Sequence, residues 1–227
     1  MPPARSVEAL VERQAQRWEV ARRSARAQPP APCVALSRLP HAGASEIGQR
    51  VAQKLDFGFF GIEIVDWIAR EHRVQRALVE GLDERGRSLI DRYVADAFRS
   101  RTLTESEYLR YLVRVLATLG ERGRAVILGR GAPYVLAPER TLRVLVTAPA
   151  PARAARLASA RGIGAEEARA TLAREDAERR EFVCQHFGLD PDDPLHYDVV
   201  LNTGTLGIDA ATALVLEALR LRFGSVE

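Results

Sequence analysis

Hydrophobic residues in this chain fall into two patterns. Short unbroken apolar runs at 33–37, 125–128, 142–147 and 199–201 predict strands buried on both faces. Other stretches carry apolar residues at helical spacing, as in Ile47, Val51, Ala52 and Leu55, which follow the first run after a turn containing Gly43 and Ser45. Helices are likewise predicted over 62–71, 74–99, 151–160, 165–182 and 208–223, with Gly162 and Gly164 separating 151–160 from 165–182. Thr104 with Glu107 three residues later predicts a capping box, each side chain meeting a free backbone N–H. It opens a helix to about residue 119, which Gly120 and Gly123 end. Apolar strands alternating with helices specify the α/β class, a parallel sheet covered by helices on both faces.

Residues 1–31 are patterned differently. Val7, Leu10, Val11, Trp18, Ala21 and Ala25 lie near one face of a helix, with arginines mostly on the other, and Gln28-Pro29-Pro30-Ala31-Pro32 then stops any helix. The boundary divides the chain into a basic helical arm with a proline-rich linker, 1–31, and a main domain, 32–227. The first reading of the arm is a helix packed on the main domain or on a second copy in a homo-oligomer; contact with nucleic acid or membrane is the alternative.

Composition narrows the class. With 47% hydrophobic and 28% charged residues, the chain has the balance of an ordinary globular protein. No apolar stretch approaches the roughly 18 residues of a membrane span, and no signal-peptide core opens the chain, so a cytoplasmic protein is expected. The net charge of +3 is too small to point to nucleic acid, and the excess sits in the arm. Cys33 and Cys184 stand alone, and the histidines have no metal or triad spacing, so disulfide-framework, zinc and hydrolase readings fall away.

In parallel α/β proteins ligands bind beyond the carboxyl ends of the strands. The first such loop, residues 37–48, holds small residues, Ala42, Gly43, Ala44 and Ser45, ahead of a helix whose N-terminus suits phosphate; a plain strand-to-helix turn is the alternative. The only lysine, Lys54, lies more than two helical turns beyond Ser45, so the full phosphate-loop signature is missing. The second loop, Gly129-Arg130-Gly131, offers a guanidinium fork for phosphate or a mere surface arginine. Third come Arg153 and Arg156, then Asp176 and Arg179, each pair on one helical face; they suit a lid closing over polyphosphate, as they would suit a solvated face.

Ser37-Arg38 with the small-residue loop and Glu46-Ile47-Gly48, then Phe59-Phe60, Val126-Ile127-Leu128-Gly129-Arg130-Gly131-Ala132, Asp176-x-x-Arg179 and Tyr197-Asp198-Val199-Val200-Leu201-Asn202-Thr203 resemble the cytidylate kinase-like family. The resemblance covers about residues 33–218. It implies a P-loop NTPase-like three-layer fold with a parallel sheet, a helical monophosphate insertion over about 62–119 and an arginine-bearing lid. It implies transfer of the ATP γ-phosphate to a nucleoside monophosphate, CMP or dCMP, with magnesium. Carried over by position, Ala42, Gly43, Ala44 and Ser45 would cradle donor phosphates, with Arg38 at the base of the loop. Arg130 would hold the acceptor, and Arg153, Arg156, Asp176 and Arg179 would act at the lid as catalytic groups.

The chain also departs from that pattern. Over 41–45 the first loop keeps only Gly43 and has no lysine or arginine, Gly61 stands where Asp is common, and Gly131 follows Arg130 where true cytidylate kinases carry Asp. A second reading follows, a kinase-like protein that binds nucleotide or a protein partner without turnover.

Overall fold

The apolar runs become strands of one sheet in the computed structural model, which describes residues 31–70, 87–88, 90–92, 94–95 and 106–224. The strands are β1 (Cys33–Arg38), β2 (Gly58–Phe60), β3 (Ala125–Leu128), β4 (Thr141–Thr147) and β5 (Val199–Asn202). They lie in the order β2-β3-β1-β4-β5 and every neighbouring pair is parallel. Central β1 sets the register, with Val34 opposite Val126 on one side and Leu142 on the other. Parallel neighbours need long crossovers, and helices supply them: α1 (Ala44–Leu55), α2 (Ile62–Arg70), α3 (Glu107–Arg122), the single turn α4 (Ala132–Val135), α5 (Ala150–Arg161) and α6 (Ala165–Phe187), while α7 (Thr203–Phe223) follows the last strand.

Side chains of β1 alternate between two cores because successive Cβ atoms point to opposite faces. Cys33 and Ala35 join Leu112, Leu116 and Leu119 of α3 with Val65 and Ile68 of α2. Val34 and Leu36 join Ile47 and Val51 of α1 with Ala211, Val215 and Leu219 of α7. The result is the three-layer α/β arrangement expected from the sequence. Helices α5 and α6 share a separate small core of Ala154, Leu157, Ala168 and Leu172, so this pair forms a hairpin beside the sheet.

Several boundaries differ from expectation. Strand β2 was not predicted; it is three residues long at the sheet edge, too short for a periodic signal. Helix α3 is capped by Ser106, whose side chain accepts from the Leu109 N–H at 3.1 Å, so Glu107 is the first helical residue and not the far partner of a box. Thr104 lies outside the described residues, as do residues 1–30 of the arm and most of the helix expected over 74–99. Helix α3 also continues through Gly120 and stops at Gly123. Helix α6 runs past residue 182 to Phe187, ending at left-handed Gly188 (φ 65°), because Val183 and Phe187 bury against the first core. In α7 the backbone is non-helical at Gly207 (φ 71°), so the regular helix starts at about the expected residue, Ile208.

Candidate functional site

The carboxyl ends of β1, β3, β4 and β5 converge on the loop between β1 and α1. Helix α1 begins after Gly43, which has φ 90° and offers no side-chain cap, leaving the first backbone N–H groups of the helix for an outside acceptor. The left-handed backbone at Gly43 favours glycine, and a Cβ there would lie 2.3 Å from Ile208 Cδ1 and displace that side-chain end. Ser45 is exposed in the first turn, whereas Ala42 and Ala44 are buried.

Four consecutive loop residues are each gripped by a group from another part of the chain. The Leu39 N–H donates to Val146 O at 3.0 Å. Arg153 Nη1 donates to Pro40 O at 3.3 Å, Arg156 Nη1 to His41 O at 3.3 Å, and the Thr203 hydroxyl to Ala42 O at 2.7 Å. His41 itself adopts a left-handed φ of 60°. Its Nε2 is 2.6 Å from Glu175 Oε2 on α6, and Arg161 donates to the other oxygen of that carboxylate at 2.9 Å. Partial burial of Glu175 works against ionisation, yet these two partners hold its carboxyl below the ordinary value.

The arginines expected at the lid, Arg153, Arg156 and Arg179, are each already partnered. Arg153 is buried and donates bidentately to Asp176 at 2.8 and 3.0 Å and to Ala148 O at 3.0 Å. Arg156 also donates to the Thr203 hydroxyl at 3.0 Å and Thr203 O at 3.3 Å. Arg179 donates to Asp192 at 2.7 Å, to Pro191 O at 3.0 Å and to the Ser37 hydroxyl at 3.4 Å, which brings α6 to the end of β1. Arg153, Arg156 and Asp176 thus brace the loop, while Arg179 reaches across the strand ends.

Arg130 follows β3 in a left-handed conformation (φ 52°). Its Nε donates to Asp66 Oδ1 at 2.6 Å, a second bond joins Nη2 to the other oxygen, and the guanidinium lies 5.1 Å from the centre of the Phe182 ring. The Tyr108 hydroxyl donates to the same carboxylate at 2.7 Å. Burial works against the charge of Arg130, but the Asp66 carboxylate outweighs it and raises the pKa. Burial and the bond to Asp66 likewise push the Tyr108 phenol up. Next to Arg130, a Cβ at Gly131 would lie 2.1 Å from Phe187 Cζ, so the close packing of α6 on this loop requires glycine there.

Arg38 was grouped with the donor loop from its position in sequence. In the fold its guanidinium lies against Gly129 at the end of β3, where a Cβ would sit 3.3 Å from Nη1. Burial together with the nearby charges of Arg179 and Arg130 pushes its pKa down to about 10. Sequence reasoning missed the carboxylates Asp66, Asp192 and Glu175 that hold the arginines and the loop. Asp192 had one local sign, the acidic and proline-rich turn after the arginine-rich helix; Asp66 had none.

The profile of the cytidylate kinase-like family matches residues 33–205, which contain this loop, both flanking arginine groups and Thr203. The chain belongs to the cytidylate kinase-like family. Among curated proteins, 94 residues are 36% identical to a cytidylate kinase of Thermococcus sibiricus, covering 41% of this chain and 48% of that one. Another cytidylate kinase, of Methanopyrus kandleri, is 31% identical over 108 residues, covering 44% of this chain and 56% of its own. The chain therefore spans about half the length of the curated relatives it matches. Among solved structures, an uncharacterized protein from Eubacterium ventriosum superposes with a TM-score of 0.61 at 14% identity, over 83% of this chain and 98% of that one. The fold is a parallel α/β fold, with α2 and α3 between β2 and β3 and the α5–α6 hairpin between β4 and β5. Among the described residues no helix is long and apolar enough to cross a membrane.

Proposed function

We propose that this protein is a nucleotide kinase that transfers the γ-phosphate of ATP to a nucleoside monophosphate, CMP or dCMP. One observation supports it most: in a chain of the cytidylate kinase-like family, the Arg38 guanidinium lies against Gly129 at the end of β3, Arg179 reaches Ser37 at the end of β1, and the charges of Arg130 and Arg179 act on Arg38, beside the uncapped start of α1. In this reading the backbone N–H groups at 43–45 hold the donor phosphates. Arg130, aligned by Asp66 and Tyr108, holds the acceptor. Arg153, Asp176 and Arg156 act as positioning residues that keep the loop in shape.

An oxygen of the acceptor phosphate forms a bond to the γ-phosphorus as the bond to the β–γ bridging oxygen breaks. That oxygen keeps the electron pair and leaves on ADP, while the acceptor becomes a diphosphate. No protein nucleophile is required, so the site works by orientation and by matching spread negative charge with fixed positive charge. The exposed hydroxyl of Ser45 and the uncapped helix start fit a magnesium nucleotide, the hydroxyl oxygen being a ligand type that this hard cation prefers; the ion would neutralise part of the phosphate charge.

The test is ADP release with MgATP against CMP, dCMP, UMP, AMP and GMP. Highest kcat/KM with CMP or dCMP is expected, and no turnover with any acceptor overturns the proposal. The absence of a cation in the first loop and the His41–Glu175 clasp favour a second reading, a nucleotide-binding protein without turnover. Calorimetric binding of ATP or CMP without ADP release would select it.

A further inference from the structure

We infer that Arg38 is the catalytic cation of this site, binding the oxygens of the phosphoryl group in flight from the end of β1 because the first loop has no side chain to do so. This rests on the kinase reading above. The first loop carries no lysine or arginine from Leu39 to Gln49, although charge spread over the moving phosphoryl group must be matched. The cation has to come from another element.

The arginines around the cleft differ in what they are free to do. Arg130 is committed to Asp66, Arg179 to Asp192 and Arg153 to Asp176. Arg156 is used by Thr203 and the His41 carbonyl. Among the described residues the Arg38 guanidinium alone of this group has no hydrogen-bond or ion-pair partner, and Glu63 and Glu175 act on its charge from beyond ion-pair distance. Its nearest acidic neighbours are otherwise placed: Glu175 is held by His41 and Arg161, and Glu63 stands beside Gly61, where a Cβ would come 3.7 Å from Oε2. A guanidinium withdrawn from water and left without an anion is unfavourable, and two like charges beside it make it more so. The depressed pKa of about 10 has these causes, burial first and then Arg179 and Arg130, which outweigh the opposing pull of Glu63 and Glu175. Arg38 nevertheless stays charged at neutral pH.

Such a group is a preorganised binding site for an anion. The incoming oxygens relieve the repulsion, and the planar fork gives them two parallel donors. The flanking arginines define the two sides. Arg130 follows β3 on the acceptor side, and Arg179 comes from the lid helix and touches Ser37, the residue before Arg38. Arg38 is in electrostatic contact with both. In transfer, the γ-phosphorus leaves the bridging oxygen of ATP and bonds to the acceptor phosphate oxygen, while two of its own three oxygens draw onto the Arg38 fork as negative charge spreads over them.

The experiment uses the full chain and the variants Arg38→Gln, Arg38→Lys and Arg38→Ala. Arg38→Gln is expected to lower kcat about 10²-fold or more. ATP affinity should change little, and the melting temperature should stay equal or rise, because removing a crowded, unpaired charge relieves the fold. Arg38→Lys should retain more turnover than Arg38→Gln, and added guanidinium should restore part of the turnover of Arg38→Ala. A structural role would lower the melting temperature and would not respond to guanidinium. Wild-type kcat in Arg38→Gln, or a loss that tracks unfolding and is not rescued, overturns the inference. If the wild type releases no ADP with any acceptor, the kinase reading fails, and calorimetry with CMP, cytidine and inorganic phosphate decides the site. CMP and phosphate binding that disappears in Arg38→Gln, with cytidine inert throughout, keeps Arg38 as the phosphate ligand. Unchanged binding, or none in the wild type, removes it.

Discussion

Replacing Arg153 with methionine separates a brace from a catalytic group. The Arg153 side chain is 5% exposed and its partner Asp176 33% exposed, and the substitution deletes two bonds to that carboxylate. It also deprives the carbonyls of Pro40 and Ala148 of their donor. Breaking a buried ion pair by removing one partner costs about 3–5 kcal/mol. Because Asp176 keeps a third of its surface in water, the lower end is expected, about 3 kcal/mol. For a protein of this size each kcal/mol moves the melting temperature by about 2–4 °C, so the midpoint should fall by about 6–12 °C. The assay is urea and thermal unfolding followed by circular dichroism, run beside ATP and CMP titrations. The double variant Arg153→Met/Asp176→Leu should recover part of the loss, with a coupling of about 1.5–3 kcal/mol in the cycle. An Arg153→Met protein that unfolds at the wild-type midpoint yet loses all turnover would refute the bracing role and put Arg153 in contact with substrate.

Further outcomes test other parts of the framework. Gly43→Ala forces a left-handed φ of 90° on a residue with a Cβ and drives it to 2.3 Å from Ile208 Cδ1, so ATP affinity and stability should both fall, by about 1–2 kcal/mol from the backbone alone. Tyr108→Phe removes one of the bonds that align Asp66 for Arg130; KM for the monophosphate should rise several-fold while KM for ATP holds. Ser106→Ala removes the cap of α3 and should cost about 1 kcal/mol in urea unfolding, with no change in KM. The Asp198 carboxyl is held below its usual value, against partial burial, by Arg143 and Arg222. A depressed carboxylate stabilises above its unfolded pKa of about 3.9 and loses that contribution as pH falls through the lower folded value. Asp198→Asn should therefore flatten the fall of melting temperature below about pH 4.

What the sequence disclosed about the fold follows from how local each signal is. Strands β1, β3 and β4 are continuous apolar runs buried on both faces, and their predicted limits agree with the structure to within a residue. Strand β2 is held by its ladder to β3, with Phe60 opposite Ile127, a contact that three residues cannot announce. The last turns of α6 form because Val183 and Phe187 find the first core, across more than fifty residues of chain from Ala132. At the site, the rule that ligands gather beyond strand ends selected segments that the fold brings together, with Arg153 and Arg156 on the first loop and Arg179 on Ser37. It could not say which arginines were free. That depends on Asp66 meeting Arg130 and Asp176 meeting Arg153, pairings made by the tertiary fold and by no short spacing.

The grip on residues 39–42 has a consequence for descent. A loop that writes its own conformation needs its glycines, and each one lost deforms it. Here the loop's own turn, closed by the Ala42 N–H on Leu39 O at 3.1 Å, is also held from outside by Val146, Arg153, Arg156 and Thr203, each reaching one successive residue. Substitutions within 39–42 can then accumulate while the path of the backbone is inherited through distant positions, and histidine at 41 can sit at φ 60° where a freer chain would demand glycine. The shape of such a cradle resides in its clamps, so replacing Arg153, Arg156 or Thr203 should disturb the loop more than replacing a side chain within it.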